Sequence, residues 1–310
     1  MRVLVTGGAG FIGSHLVDAF HERGARVSVV DNLTTGTRAN VRPEATVHEI
    51  DIRDRDAVFR AFEAETPDVV LHLAAQADVR RSMDDPGYDL DVNVRGTIHL
   101  LEAGSRFGLT RMVFASTGGA IYGEPAEIPV AEGCPPAPTS CYGASKAAAE
   151  VYLGVYAESA GVRASVLRFA NVYGPRQNPK GEAGVVAIFS LKMLEGERCT
   201  IFGDGSKTRD YVYIDDIVDA VGRAVDGDVD GTFNLGTGQP TSDQQVFDAV
   251  RAAVGVDAEP HYGARRRGEV EHIALDATRA AERLGWQPKV EFEDGVRRAV
   301  AYYRGQHQAG

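Results

Sequence analysis

A chain of 310 residues with 44% hydrophobic and 25% charged side chains has the composition of a folded globular protein, and no Pro, Gln, Ser or charge tract interrupts it. A formal net charge of -11 argues against nucleic acid or an anionic membrane surface as the main partner, although local arginines still suit an anionic small molecule. No apolar run approaches the roughly 20 residues of a membrane span, and the chain enters a strand at Val3 with no room for a signal peptide, so a cytoplasmic location is expected.

In chain order, β-branched runs at Val3 to Val5, Arg26 to Val30, Thr46 to Ile50, Val69 to Leu73, Met112 to Ala115 and Ala164 to Leu167 predict strands. Between them, Ala57 to Glu63, Val92 to Gly104 and Ala144 to Ser159 predict amphipathic helices. Such alternation means an α/β fold, a parallel sheet with helices on both faces and right-handed crossovers. After Phe169 the rhythm loosens, and loops rich in Gly and Pro at 174–184 and 203–207 separate short elements. The expectation is a Rossmann-type doubly wound domain over 1–170 and a smaller substrate-binding lobe over 171–310, with about 211–240 returning to the first domain. Ligands of such folds bind in the cleft above the carboxyl ends of the strands.

The first strand runs into Thr6-Gly7-Gly8-Ala9-Gly10-Phe11-Ile12-Gly13 and then a helix ending near Gly24. Gly7 makes the tight turn, Gly10 lets backbone amides approach a pyrophosphate, and Gly13 permits close helix packing on the sheet. Turns are rich in glycine for other reasons, so context matters. The second strand ends at Asp31, about 20 residues past the turn, where a carboxylate accepts from ribose hydroxyls. A 2′-phosphate is repelled there, which favours NAD over NADP; the alternative reading of Asp31 is an ordinary strand-end turn former.

Tyr142 and Lys146 lie four apart on the predicted helix that opens at Ser140 and share one face. A free tyrosine has a pKa of about 10, so a neighbouring ammonium and a cationic nicotinamide ring would both favour the phenolate of a general base. The bland alternative is a surface pair. Ser116 and Thr117 end the strand that begins at Met112, which points a hydroxyl into the ligand crevice. His72 reads as a satisfied core histidine. Cys134, Cys141 and Cys199 are an odd number without metal-ligand spacing, and read as reduced thiols; no metal site is expected.

Together these stretches resemble the extended short-chain dehydrogenase/reductase family, in which TGGxGxxG is paired with a Ser/Thr and Tyr-x-x-x-Lys triad. Further support comes from Asp31-Asn32-Leu33, His72-Leu73-Ala74-Ala75, Asn93-Val94-Arg95-Gly96-Thr97, Asn171-Val172-Tyr173-Gly174-Pro175 and Arg209-Asp210-Tyr211-Val212. The resemblance covers essentially the whole chain and is strongest to enzymes that epimerise UDP-hexoses at C4. It implies Thr117, Tyr142 and Lys146 as the catalytic triad. It implies a cofactor site of Gly7, Gly10, Phe11, Ile12, Gly13, Asp31, Asn32, Asp51, Ile52, Leu73, Ala74, Ala75 and Asn93, with Tyr142 and Lys146. Asn171, Arg209 and Arg266 resemble residues that hold the diphosphate, and Thr200 and Phe202 flank the strand beside the uracil. Ile273 falls where the family places a side chain of varying size against the sugar, and ordinary core packing is the alternative. A homodimer through the helices near 92–104 and 144–159 is also implied.

Two departures stand out. Counting back from Ile121-Tyr122-Gly123 puts Gly118, not Thr117, in the triad position, so Gly118-Gly119-Ala120 carries one extra residue; Thr117 keeps the role because glycine has no hydroxyl, with Ser116 as fallback. Cys141 stands where the family commonly has proline. The family's 4,6-dehydratases place a carboxylate after the triad Ser/Thr, and here Gly118, Gly119 and Ala120 supply none. The resemblance therefore implies NAD-dependent epimerisation at C4 of a UDP-hexose, UDP-glucose or UDP-galactose, through a transient 4-ketosugar. A 4,6-dehydratase drawing its acid from elsewhere, a 4-ketosugar reductase and an NAD-sensing scaffold remain as other readings.

Overall fold

The computed structural model describes residues 1–179, 184–265 and 270–309. Strand β1 (Arg2–Thr6), helix α1 (Phe11–Glu22), β2 (Arg26–Asp31), β3 (Thr46–Glu49), α2 (Arg55–Glu65) and β4 (Val69–His72) realise the alternation of β-branched and amphipathic segments. Short helices α3 (Val79–Asp84) and α4 (Pro86–Leu90) then lead through a π-helical turn at Asp91–Arg95 into α5 (Gly96–Phe107). Next come β5 (Arg111–Thr117), the single turn α6 (Gly118–Ile121), α7 (Cys141–Ala160), β6 (Arg163–Phe169) and β7 (Asn171–Tyr173). The rest of the chain forms α8 (Val185–Leu194), β8 (Thr200–Phe202), β9 (Thr208–Tyr213), α9 (Ile214–Asp226), β10 (Gly231–Leu235) and β11 (Pro240–Ser242). It ends with α10 (Asp243–Val254), β12 (His261–Gly263), α11 (Thr278–Leu284) and α12 (Phe292–Ala309).

Seven strands form one sheet in the order β10-β6-β5-β4-β1-β2-β3, every neighbouring pair parallel. The pleat sends alternate residues to opposite faces. Val3 and Val5 of β1 join a core with Leu16 and Phe20 of α1, whereas Leu4 joins Val58 and Phe62 of α2 and Leu100 of α5 on the other face. With both faces covered, the central strands are apolar almost throughout, which is why they read so plainly in the sequence. The order turns back between β1 and β4, and the crevice beyond that point is where doubly wound sheets take ligands.

β10 comes from the second half of the chain but pairs with β6, Gly231 opposite Ser165. Two small sheets, β11-β9-β7 and β12-β8, carry the remaining strands. Asp210 ties β9 to the large sheet's edge: it accepts from the Thr237 amide at 2.8 Å and hydroxyl at 2.6 Å, the Gly238 amide at 3.0 Å and the Leu275 amide at 3.0 Å. Its carboxyl is buried, which pushes its pKa up.

Local differences from the sequence reading have physical causes. The helix expected from Val92 begins as the wider π turn, and this places Asn93 toward the sheet ends. The extra residue at Gly118-Gly119-Ala120 coils into α6, and glycine is needed at 118 because a Cβ there would collide with the Leu275 side chain. The β1–α1 turn is equally tight: Gly7 has φ +69°, and a Cβ on Gly13 would be driven into the Gly7 carbonyl. Gly13→Ala is therefore expected to destabilise the protein by about 1–3 kcal/mol, read as a lowered urea midpoint.

Candidate active site

The ends of β1 to β4 gather the expected cofactor residues. Gly10 precedes α1 with no side chain capping the helix, so the amides of Phe11, Ile12 and Gly13 are presented to the crevice at the helix's positive end. Asp31 closes β2, its oxygens accepting from the Ala9 amide at 2.9 Å and the Leu33 amide at 2.8 Å. An ionised carboxylate has about four acceptor sites, so two remain for ribose hydroxyls. Asn32 donates to Asp51 at 2.9 Å, and the Arg53 guanidinium grips the same carboxylate at 3.0 and 2.8 Å; these contacts hold Asp51 down at about 2. Ile52 beside it is buried against Gly96. Leu73, Ala74 and Ala75 follow β4, and the Leu73 amide bonds the Thr6 carbonyl at 3.0 Å. This set fits a dinucleotide: amides for a pyrophosphate, a carboxylate for a ribose and a narrow apolar shelf.

Asn93 sits at the centre of a buried cluster. Its side chain accepts from the Gln76 amide at 2.9 Å and donates to the Gln76 carbonyl at 2.9 Å, Asp89 at 3.1 Å and the Ser145 hydroxyl at 3.0 Å. Gln76, Asp89 and Ser145 were missed in the sequence reading. Asp89 carried a signal, since it precedes Asn93 by four residues and faces the same way. His72 is a core group: fully buried, it bonds the hydroxyls of Thr6 and Thr97 at 2.7 and 2.9 Å, and burial pushes its pKa down to about 3.

Thr117 at the end of β5 and Tyr142 on the first turn of α7 are brought together, hydroxyl to hydroxyl. Ser116, the fallback, points the other way and donates to Glu150, so the strand count favours Thr117. Lys146 is buried one turn below Tyr142 and donates to the Ala115 carbonyl at 2.8 Å, its nitrogen 4.6 Å from the Phe114 ring centre. Burial pushes Tyr142 up to about 12, with Asp89 adding to the rise and the Thr117 hydroxyl opposing it. Burial thus opposes the phenolate, which the reading assigns to the ammonium and the cationic nicotinamide ring acting together. Burial likewise pushes Lys146 down to about 8, with Glu150 and Asp89 opposing.

Asn171 opens β7, and its side-chain oxygen lies beside Gly119 of α6. Thr200 and Phe202 bound β8, paired with His261 and Gly263. Arg209 on β9 donates from its guanidinium to the carbonyls of Thr208 at 2.8 Å and Glu271 at 3.4 Å, bonds that hold the head of the side chain without a carboxylate. Arg266 lies outside the described residues. Ile273 is a correction: it is 1% exposed within the main core, so it does not face an open sugar space. The segment around it is held by the Val130 amide on the Ala274 carbonyl at 2.8 Å, which turns Ile273 inward with Leu275.

A phenol, a hydroxyl and an ammonium at the strand ends of a dinucleotide-type fold describe a site for hydride and proton transfer. Residues 3–236 match the NAD dependent epimerase/dehydratase family, and the chain belongs to it. The chain is 45% identical over 315 residues to the UDP-glucose 4-epimerase of Mycolicibacterium smegmatis, covering 99% of this chain and 100% of the relative. It superposes with a TM-score of 0.97 and 47% identity on the UDP-glucose 4-epimerase of Thermotoga maritima solved with UDP-glucose, covering 99% and 100% of the two chains. For the Thermus thermophilus UDP-glucose 4-epimerase in complex with NAD the values are 0.94 and 46%, covering 98% and 99%.

NAD is the cofactor of this family, and the position of Asp31 sets a test of the preference. Calorimetry on cofactor-stripped protein is expected to give tighter binding of NAD⁺ than of NADP⁺, and Asp31→Ser is expected to narrow that gap. Equal affinities in the unaltered protein would remove Asp31 from the ribose site.

Proposed function

We propose that the protein interconverts UDP-glucose and UDP-galactose by oxidation and reduction at C4. The observation that carries the reading is the Thr117–Tyr142 contact above buried Lys146, followed by Gly118, Gly119 and Ala120 in place of any carboxylate. Elimination of water across the sugar needs an acid and base at that point; a proton shuttle at one carbon needs only Tyr142.

Tyr142, as phenolate, accepts the 4-hydroxyl proton while Thr117 holds the same oxygen, and it returns the proton when the ketone is reduced. What NAD supplies when bound is an acceptor and then a donor for the C4 hydride, so net redox change is zero. Lys146 contributes a fixed positive charge that favours the phenolate once a cationic ring lies beside it. The amides of Phe11 to Gly13 would hold the pyrophosphate and Asp31 the ribose, Asp51 and Ile52 would flank the adenine, and Leu73 to Ala75 would line the cofactor, with Asn32 and Asn93 supporting the site. Arg209, Arg266 and Asn171 take the UDP diphosphate, and Thr200 to Phe202 the uracil. The three free cysteines suit a reducing compartment, in keeping with a cytoplasmic enzyme.

We also infer a homodimer through α5 and α7. On α7, Val151 and Val155 are one turn apart and 67% and 56% exposed, with Tyr152 beside them at 43%, an apolar stripe that pairing of helices would cover.

Purified protein given UDP-galactose without added cofactor is expected to form UDP-glucose, and Tyr142→Phe is expected to slow this by about 10²- to 10⁴-fold with UDP affinity unchanged. A 4-keto product that accumulates, or steady consumption of reduced cofactor, overturns the epimerase reading. For the dimer, Val151→Glu with Val155→Glu is expected to halve the mass seen by sedimentation; an unchanged mass would place any interface elsewhere.

A further inference from the structure

Gly119 is a glycine that neither its backbone nor its packing requires. It lies in α6 without a left-handed φ, so any L-residue fits its conformation, and glycine in a helix costs stability relative to alanine. A Cβ at 119 would meet only Asn171 Oδ1 at 3.4 Å and Thr117 Oγ1 at 3.9 Å, both ordinary contacts. Nearby glycines differ. Gly118 abuts Leu275, Gly123 has φ +63°, and a Cβ on Gly143 would lie 2.5 Å from the Ala120 carbonyl. The space left open at 119 is therefore bounded by the two side chains placed at the sugar and the diphosphate.

Epimerisation makes a steric demand that binding alone does not. C4 gives up a hydride to the bound cofactor and its hydroxyl proton to Tyr142, forming the ketone; both return, with the hydride on the opposite face. The hexose must turn about the bonds to its diphosphate between these transfers while the nucleotide stays in place. A turning ring sweeps more volume than either resting pose occupies, and it does so around the oxygen held by Thr117.

We propose that the missing side chain of Gly119 leaves the room in which the 4-ketohexose reorients. The inference rests on the reading of Thr117 as a sugar-site residue and Asn171 as a diphosphate residue. It predicts a separation between half-reactions, because a side chain at 119 obstructs the turn and not the first oxidation.

The test uses NAD-loaded Gly119→Ala and Gly119→Val, with Thr117→Ala alongside and thermal melts to verify folding. UDP affinity is measured by calorimetry, the near-ultraviolet absorbance of reduced nicotinamide is followed after adding UDP-galactose, and UDP-glucose is assayed. For Gly119→Val we expect unchanged UDP affinity, reduced cofactor that accumulates on the enzyme, and UDP-glucose formation lowered about tenfold or more, with Gly119→Ala between it and the wild type. Wild-type turnover in Gly119→Val overturns the proposal, and so does a parallel loss of cofactor reduction and turnover. If Thr117→Ala also turns over normally, the site reading itself has failed; if Thr117→Ala is slow and Gly119→Val is not, only the present proposal has.

Discussion

An ammonium taken out of water has to be held on several sides, and the way Lys146 is held sets the geometry of the site. Its nitrogen donates to the carbonyl of Ala115, two residues before the end of β5, and lies over the Phe114 ring. Tyr142 is one helical turn before Lys146 and Thr117 is two residues after Ala115, so this contact brings the two hydroxyls together. Glu150, one turn further along α7, is bonded to Arg168 of β6 at 2.6 Å, and Arg168 reaches the Tyr122 hydroxyl at 2.8 Å. Three residues spaced by four therefore pin one face of α7 onto two strands. The helix cannot slide without leaving a charge buried and unpaired, a loss worth about 3–5 kcal/mol.

The same burial governs when the base becomes available. Tyr142 held up at about 12 is a phenol at neutral pH, and Lys146, though brought down to about 8, is still an ammonium there. Asp89 raises both, so it keeps the lysine charged while working against the phenolate. Its carboxylate is fixed by Gln76 at 2.9 Å and by Asn93, the two residues that also set the loop after β4. Proton affinity at Tyr142 is thus coupled to the wall of the cofactor cleft, and a positive charge arriving there lowers it. Chemistry then follows binding rather than preceding it.

What was legible in the sequence follows from how local each signal is. Strands buried on both faces give unbroken β-branched runs, so β1, β2, β4, β5 and β6 declared themselves, and the glycine turn and the Tyr142–Lys146 spacing each fit within a few residues. Three-residue strands such as β7, β8, β11 and β12 have no period to read, and the pairing of β10 with β6 joins segments far apart in the chain. The tie between Asn93 and Gln76 crosses a π turn that residue types do not announce. The resemblance gives Ile273 a place in the chain and not the direction of its side chain; tertiary contacts around Val130 and Leu275 decide that.

On the proposed reading two demands meet at the substrate: the nucleotide has to be gripped, and the sugar has to move. Asp210 meets the first by joining β9 to the loops at 237–238 and 275, which gives the adjacent Arg209 a fixed base. Its position is enforced sterically as well, because any Cβ on Gly236 would strike the Asp210 carboxylate. A held arginine such as Arg209 suits the diphosphate of the proposed substrate, whose charge does not change during the reaction. Around Thr117, read as the sugar-site hydroxyl, the side chains are instead short: Gly118, Gly119, Ala120 and the amide of Asn171. Long charged groups there would add uniform binding, which does not lower the barrier between bound states. Strong contacts at the end of the substrate that stays and sparse ones at the end that turns follow from the same requirement, that one hydride leave one face of C4 and return to the other.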